Sequence, residues 1–133
     1  MAIELATAAQ NALADALTTL VDAGAAGTIK VYTGTHTGLD PTGDTLLATF
    51  TLVDPAAAAA AAGVATWDFD PDIDATVAAT GTAGWFLVED STGADVFGGD
   101  VSTSGAAMNF SSVSWVSGGT VSLTTGMVTA PAA

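Results

Sequence analysis

Four aspartates at alternate positions, Asp68, Asp70, Asp72 and Asp74, form the densest group of potential ligands in the sequence. Carboxylates at every second residue resemble the opening of a calcium loop, because Ca²⁺ takes six to eight hard oxygens. Such a loop also needs glycine at its sixth position and glutamate at its twelfth. Those positions hold Ile73 and Ala79, and Pro71 constrains the turn. The expectation is a solvated acidic loop that requires no metal.

His36 is the one imidazole available as a general base. Serines and aspartates are plentiful, yet no serine lies in a nucleophile-elbow motif, and His36 sits in a Gly/Thr loop of the kind that is usually exposed. A carboxylate pair for glycoside hydrolysis needs no histidine but does need a deep sugar cleft, which is hard to build in so small a chain. Trp67, Trp85 and Trp115 could stack on sugar rings. A sugar site also wants amide, amine or guanidinium donors near the platform, and the chain offers Gln10, Asn11, Asn109, Lys30 and little else. Core or interface positions are the expectation for the three tryptophans. Gly98-Gly99 and Gly118-Gly119 lack both the strand–GxGxxG–helix context and a P-loop lysine, so they read as turns or bulges. No enzyme and no cofactor is expected.

The charge balance excludes more. Fourteen acidic residues face one basic residue, Lys30, and the formal net charge is −13. Binding to a phosphate backbone requires cations that release counterions, so nucleic acid is excluded as a partner. Anionic membranes are disfavoured for the same reason, and no stretch of about 18 residues is apolar enough to span a bilayer. The segment Met1-Ala2-Ile3-Glu4 has no basic region or long apolar run and does not read as a signal peptide. A GC-rich genome would explain abundant Ala and Gly but not the absence of Arg, so the acidity reads as selected, for solubility or avoidance of nucleic acid. A halophilic host would produce the same bias. Cysteine is absent, which removes disulfides, thiolate metal sites and a Cys nucleophile.

The 133 residues suit one domain. Leu, Ile, Val and Phe supply only 30 of them, and much of the remaining apolar content is alanine, so the core must be thin and subunit contacts are a plausible supplement. Residues 3–22 predict a helix, with Leu5, Ala9, Leu13, Leu17 and Leu20 on one stripe and Gly24 suited to its end. Two readings of the stripe stand: a helix packed on its own domain, or an arm whose Leu5, Leu13, Leu17 and Leu20 contact a neighbouring subunit or shell.

Near residue 28 the period changes to two. Strands are expected over 28–33, 46–53, 63–69, 76–80, 84–89, 95–101, 109–116 and 120–128. Residues 34–45 form a long loop, 56–62 a loop or single turn, 70–74 a loop, and Asp90-Ser-Thr-Gly93 a hairpin turn. Ser117-Gly118-Gly119 joins the last two strands as a pair, and 130–133 is a frayed tail. The fold class that follows is mainly β: an antiparallel β-sandwich or flattened barrel with one N-terminal α-helix. Residues 1–24 form the helix or arm and 25–133 a single β-domain.

The order of segments resembles a family of small structural proteins of tailed bacteriophages. The resemblance rests on Ala-Gln-Asn-Ala-Leu-Ala-Asp-Ala-Leu at 9–17, Ile29-Lys-Val-Tyr-Thr-Gly34, Leu46-Leu-Ala-Thr-Phe50, Ala79-Thr-Gly-Thr-Ala-Gly-Trp-Phe86 and Val96-Phe-Gly-Gly-Asp-Val101. It covers nearly the whole chain through strand and turn residues rather than catalytic signatures. The alanine run at 56–62 and the near-total loss of basic residues depart from the pattern. The resemblance implies a non-enzymatic capsid decoration or minor capsid protein, made in the host cytoplasm and carried on the capsid exterior. Its partners would be the major capsid protein and further copies of itself, as a trimer or dimer. The competing expectation is a tail or adhesin module that binds host carbohydrate; buried tryptophans favour the first, an exposed row of them the second.

Overall fold

A computed structural model describes residues 4–54, 56–57, 59–62, 64–67, 73–123 and 127–129. Asp68, Asp70 and Asp72, with Phe69 and Pro71, lie outside the described residues, as do 1–3 and the expected tail at 130–133. In chain order the elements are α1 (Thr7–Val21), β1 (Thr28–Tyr32), β2 (Leu46–Thr51), β3 (Val64–Thr66), β4 (Ile73–Thr76), β5 (Gly81–Thr82) and β6 (Trp85–Glu89). They continue with β7 (Asp95–Ser102), β8 (Met108–Asn109), β9 (Ser114–Trp115), β10 (Thr120–Leu123) and β11 (Met127–Thr129). The fold is mainly β with one N-terminal helix, and its principal sheet curls into a half-barrel.

That sheet has the order β2-β1-β6-β7-β8. β1, β2, β6 and β7 pair antiparallel, and the short β8 joins β7 in parallel. Alternation sends Ile29, Val31, Phe50, Phe86, Val88 and Val101 to one face, where they meet Ala14 and Val21 of α1, Trp67, Trp115 and Leu123 in a single apolar cluster. Tyr32, Trp85 and Leu87 form a smaller cluster on the other face. β6 is buried at all five positions, so both of its faces are covered. A strand buried on both sides reads as a continuous apolar run, and Trp-Phe-Leu-Val is such a run.

The β6–β7 hairpin turn is built on its first residue. Oδ1 of Asp90 accepts the Thr92 amide (2.8 Å), the Thr92 hydroxyl (2.6 Å) and the Ala94 amide (3.0 Å), and Gly93 takes a left-handed φ of 87°. Asp40-Pro-Thr-Gly43 repeats the device in the long loop, with Asp40 Oδ1 accepting the Thr42 amide (2.9 Å) and hydroxyl (2.6 Å) and Gly43 at φ 88°.

Four expectations are corrected. The strand expected over 109–116 divides into β8 and β9, which pair with β7 and β5, and β4 begins at Ile73, inside the expected 70–74 loop, where it pairs with β10. The strand expected over 76–80 is displaced to β4 and β5, because the Val77 amide donates to Gly119 O (2.8 Å) and the Ala78 amide to Leu47 O (2.7 Å), carrying the chain from one partner to another. The last two strands do not pair with each other. The Gly118 amide bonds Val77 O (2.9 Å) and ties the 116–119 turn to Val77, so β9 goes to β5 and β10 to β4.

The helix has no side-chain cap at its start and no basic residue in its last turn. Tertiary contacts hold it instead. Ala14, Thr18 and Val21 are its buried residues. On its flank, Asp15 Oδ1 accepts the Ala60 amide (2.7 Å), and both oxygens of Asp22 accept the Ala56 amide (3.1 Å each). Asp15 and Asp22 are seven residues apart, two turns of one face, and together they strap the alanine run onto α1. The run is no helix: Ala57 bridges to Trp67 and Ala61 to Val64.

The two helix faces therefore differ in what truncation costs. Val21→Ala should lower unfolding stability by about 2 kcal/mol through a core cavity. Leu20→Ala should stay within about 0.5 kcal/mol. Denaturant unfolding measures both, and equal losses would show that the assignment of faces is wrong.

Candidate functional site

The residues with the greatest chemical potential converge where the 33–45 loop crosses the outer face of the sheet. Tyr32 and Trp85 are register partners on β1 and β6, and their rings stack with centroids 5.0 Å apart at 21°. The Trp85 indole N–H donates to Asp44 Oδ2 at 2.9 Å, which pins the far end of the loop to the ring. His36, in the near half of the loop, leans on the same indole with centroids 6.0 Å apart. The loop closes through the Thr33 amide to Thr45 O (3.0 Å) and the Thr45 amide to the Thr33 hydroxyl (2.9 Å). It fits so tightly that a Cβ at Gly84 would collide with the Gly34 carbonyl. Burial pushes the Tyr32 phenol up from its ordinary value.

Beside this stack a shallow depression of about 620 Å³ brings His36 and Asp100 together with Thr35 and Thr82. Asp100 is already committed, since its Oδ1 accepts the Ala107 amide at 2.8 Å. Among the described residues no serine or threonine hydroxyl hydrogen-bonds to His36, so no nucleophile–base pair is assembled there. A second groove of about 520 Å³ lies between the Phe110–Trp115 segment and β10. Serine and threonine hydroxyls rim it, Phe110, Trp115 and Val121 line its apolar part, and no charged side chain borders it.

All three tryptophans are buried, at 6 %, 1 % and 5 % exposure for Trp67, Trp85 and Trp115. Trp67 meets Phe97 edge-on (5.8 Å), Trp115 meets Phe110 edge-on (5.0 Å), and the Trp115 indole donates to Ser112 O (2.8 Å). No indole face is left as a platform for sugar.

Lys30, the one strong cation, is also engaged. Its Nζ lies 2.6 Å from Glu89 Oε1 on the outer sheet face, and that contact raises the ammonium above its ordinary pKa. Asp95, paired with Glu89 across β6 and β7, is shifted upward, first by lost hydration and then by the neighbouring Glu89 carboxylate.

The leucine stripe divides. Leu5 and Leu17 are half-buried, whereas Leu13 and Leu20 stand 47 % and 54 % exposed. Of the Asp68–Asp74 series only Asp74 is described, and its Oδ1 accepts the Ser122 hydroxyl. Among the described residues no three His, Cys, Asp or Glu side chains gather as a metal site, and no helix is long and apolar enough to cross a membrane. Sequence reasoning missed Asp44, Asp15 and Asp22. The seven-residue spacing of the last two was a visible signal; a bond from Asp44 to an indole 41 residues away left none.

No known protein-family model matches the chain, no characterised protein matches it in sequence, and no solved structure matches its fold.

Asp44→Ala should destabilise the chain by about 1–3 kcal/mol, because it strands a buried indole N–H. Asp54→Ala, at an exposed carboxylate, should stay within about 0.5 kcal/mol. Denaturant unfolding of the two variants gives the comparison, and indistinguishable midpoints would remove Asp44 from this role.

Proposed function

We propose that the chain is a non-enzymatic structural protein of a bacteriophage virion, a decoration or minor capsid protein that lies on the outer shell and bridges capsid subunits. The observation that carries this reading is the burial of Trp67, Trp85 and Trp115, with the Trp85 and Trp115 indoles bonded internally. A carbohydrate-binding tail module would hold such rings out to its ligand. The arrangement around His36 supports no catalytic pair, and the acid-rich surface suits a protein that assembles beside packaged DNA without binding it. With Lys30 occupied by Glu89, the chain has no free strong cation for phosphate. The segment order of tailed-phage structural proteins, set out from the sequence, points the same way.

Attachment would run through strand edges, loops and apolar contacts. Low affinity per site is multiplied when several linked copies bind at once. The test is co-sedimentation with bare capsids over rising NaCl. Binding should hold or strengthen between about 0.05 and about 0.5 M salt, as screening relieves repulsion among crowded acidic copies. Steep loss with salt would mean that acidic groups dock onto a basic capsid patch. Binding to free DNA in the same buffers would refute the structural reading itself.

A further inference from the structure

The outer face of α1 is an anomaly on so acidic a chain. Between Thr7 and Val21 the only ionisable residue is Asp15, and it is turned aside onto the Ala60 amide. Asp22, just beyond, is bound to the Ala56 amide. Both carboxylates are half-buried, and every fully exposed residue of the helix is uncharged. Ala9, Leu13, Ala16 and Leu20, all exposed, follow one another at intervals of four, three and four residues. That is the a/d spacing of a helix–helix seam.

The seam is also self-complementary. A two-fold axis passing between Ala14 and Asp15 sets Ala9 opposite Leu20 of a second antiparallel copy, and Leu13 opposite Ala16. Every large side chain meets a small one, which is how facing layers interdigitate, and two-fold self-association uses one patch twice. Antiparallel helices also oppose their dipoles.

We infer that α1 is the interface of an antiparallel homodimer, packed seam to seam. Charge selects this occupant. Two chains of net charge −13 repel least where neither presents carboxylates, and the α1 seam is such a face with large and small side chains already matched. A partner with a basic docking surface would find no carboxylate along this seam to pair with, so it gains nothing there over a neutral copy. The inference stands on the helix alone and does not depend on attachment to a shell.

Sedimentation velocity of the full chain tests it. A dimer is expected that tightens as NaCl rises. Leu13→Glu and Ala16→Glu should each weaken it by more than about tenfold, since each would bury an unpaired charge. Val116→Glu, at a position 67 % exposed on the turn bonded to Val77, should leave it intact. Because the chain has no cysteine, cross-linking reads the register without adding charge. Leu13→Cys mixed with Ala16→Cys should give the mixed disulfide, and Leu13→Cys mixed with Ala9→Cys should not. A monomer at every concentration, a dimer indifferent to both glutamates, or preferential Leu13→Cys self-cross-linking would overturn the antiparallel seam.

Discussion

Scarcity of cations is the constraint on which the rest of this structure depends. With one lysine against fourteen acidic residues, carboxylates cannot be balanced by ion pairs, and Lys30–Glu89 accounts for the single cation. The fold seats its carboxylates on N–H and O–H donors instead. Asp15 and Asp22 hold backbone amides of the alanine run, Asp100 holds Ala107, Asp44 holds an indole, and Asp40 and Asp90 fold their own turns. Hydrogen bonds to an ionised acceptor are roughly twice as strong as neutral ones, so acidity becomes a source of structure.

Asp15, Asp22, Asp44 and Asp100 each fasten an irregular segment to a regular one. The alanine run has little apolar area to bury, and the carboxylates of α1 compensate by gripping its backbone. The 33–45 loop has no strand of its own, yet the Asp44–Trp85 bond and the tight passage at Gly84 hold it across the outer face of β6. That cover is why β6 is buried on both sides in a chain with a thin core. The same economy leaves none of the three tryptophans exposed as a platform.

The legible part of this fold was the part governed by local pattern. The helix, the change of period near residue 28, β1, β2, β6, β7 and the Asp90–Gly93 turn all follow from spacing and turn chemistry. Pairing was less legible. Val77 and Ala78 sit in an alternating stretch, but their amides bond Gly119 and Leu47, a choice that tertiary geometry makes. The stripe of Leu5, Leu13, Leu17 and Leu20 illustrates a further limit. Hydrophobicity located one apolar face, while the smaller Ala14, Thr18 and Val21 formed the face that is buried. At the candidate site, the types of residue were readable from sequence and the engagement of Trp85 by Asp44 was not.

Carboxylates thus stabilise this chain through the donors they hold more than they destabilise it through mutual repulsion. Contacts of 2.6–3.1 Å act directly, whereas repulsion between exposed charges is screened beyond about 8 Å at physiological salt. Hydrogen bonds from Thr42 and Thr92 hold the Asp40 and Asp90 carboxyls below their usual range, so their contribution is complete above the unfolded value and is lost as pH falls through the native one. Asp95, shifted upward, works in the opposite sense. The most direct measurement is the denaturant midpoint from about pH 6 to about pH 3, spanning the carboxylate range, at low and high salt. The midpoint should fall with acidification at both. A midpoint that holds or rises as the charges are neutralised would contradict that balance.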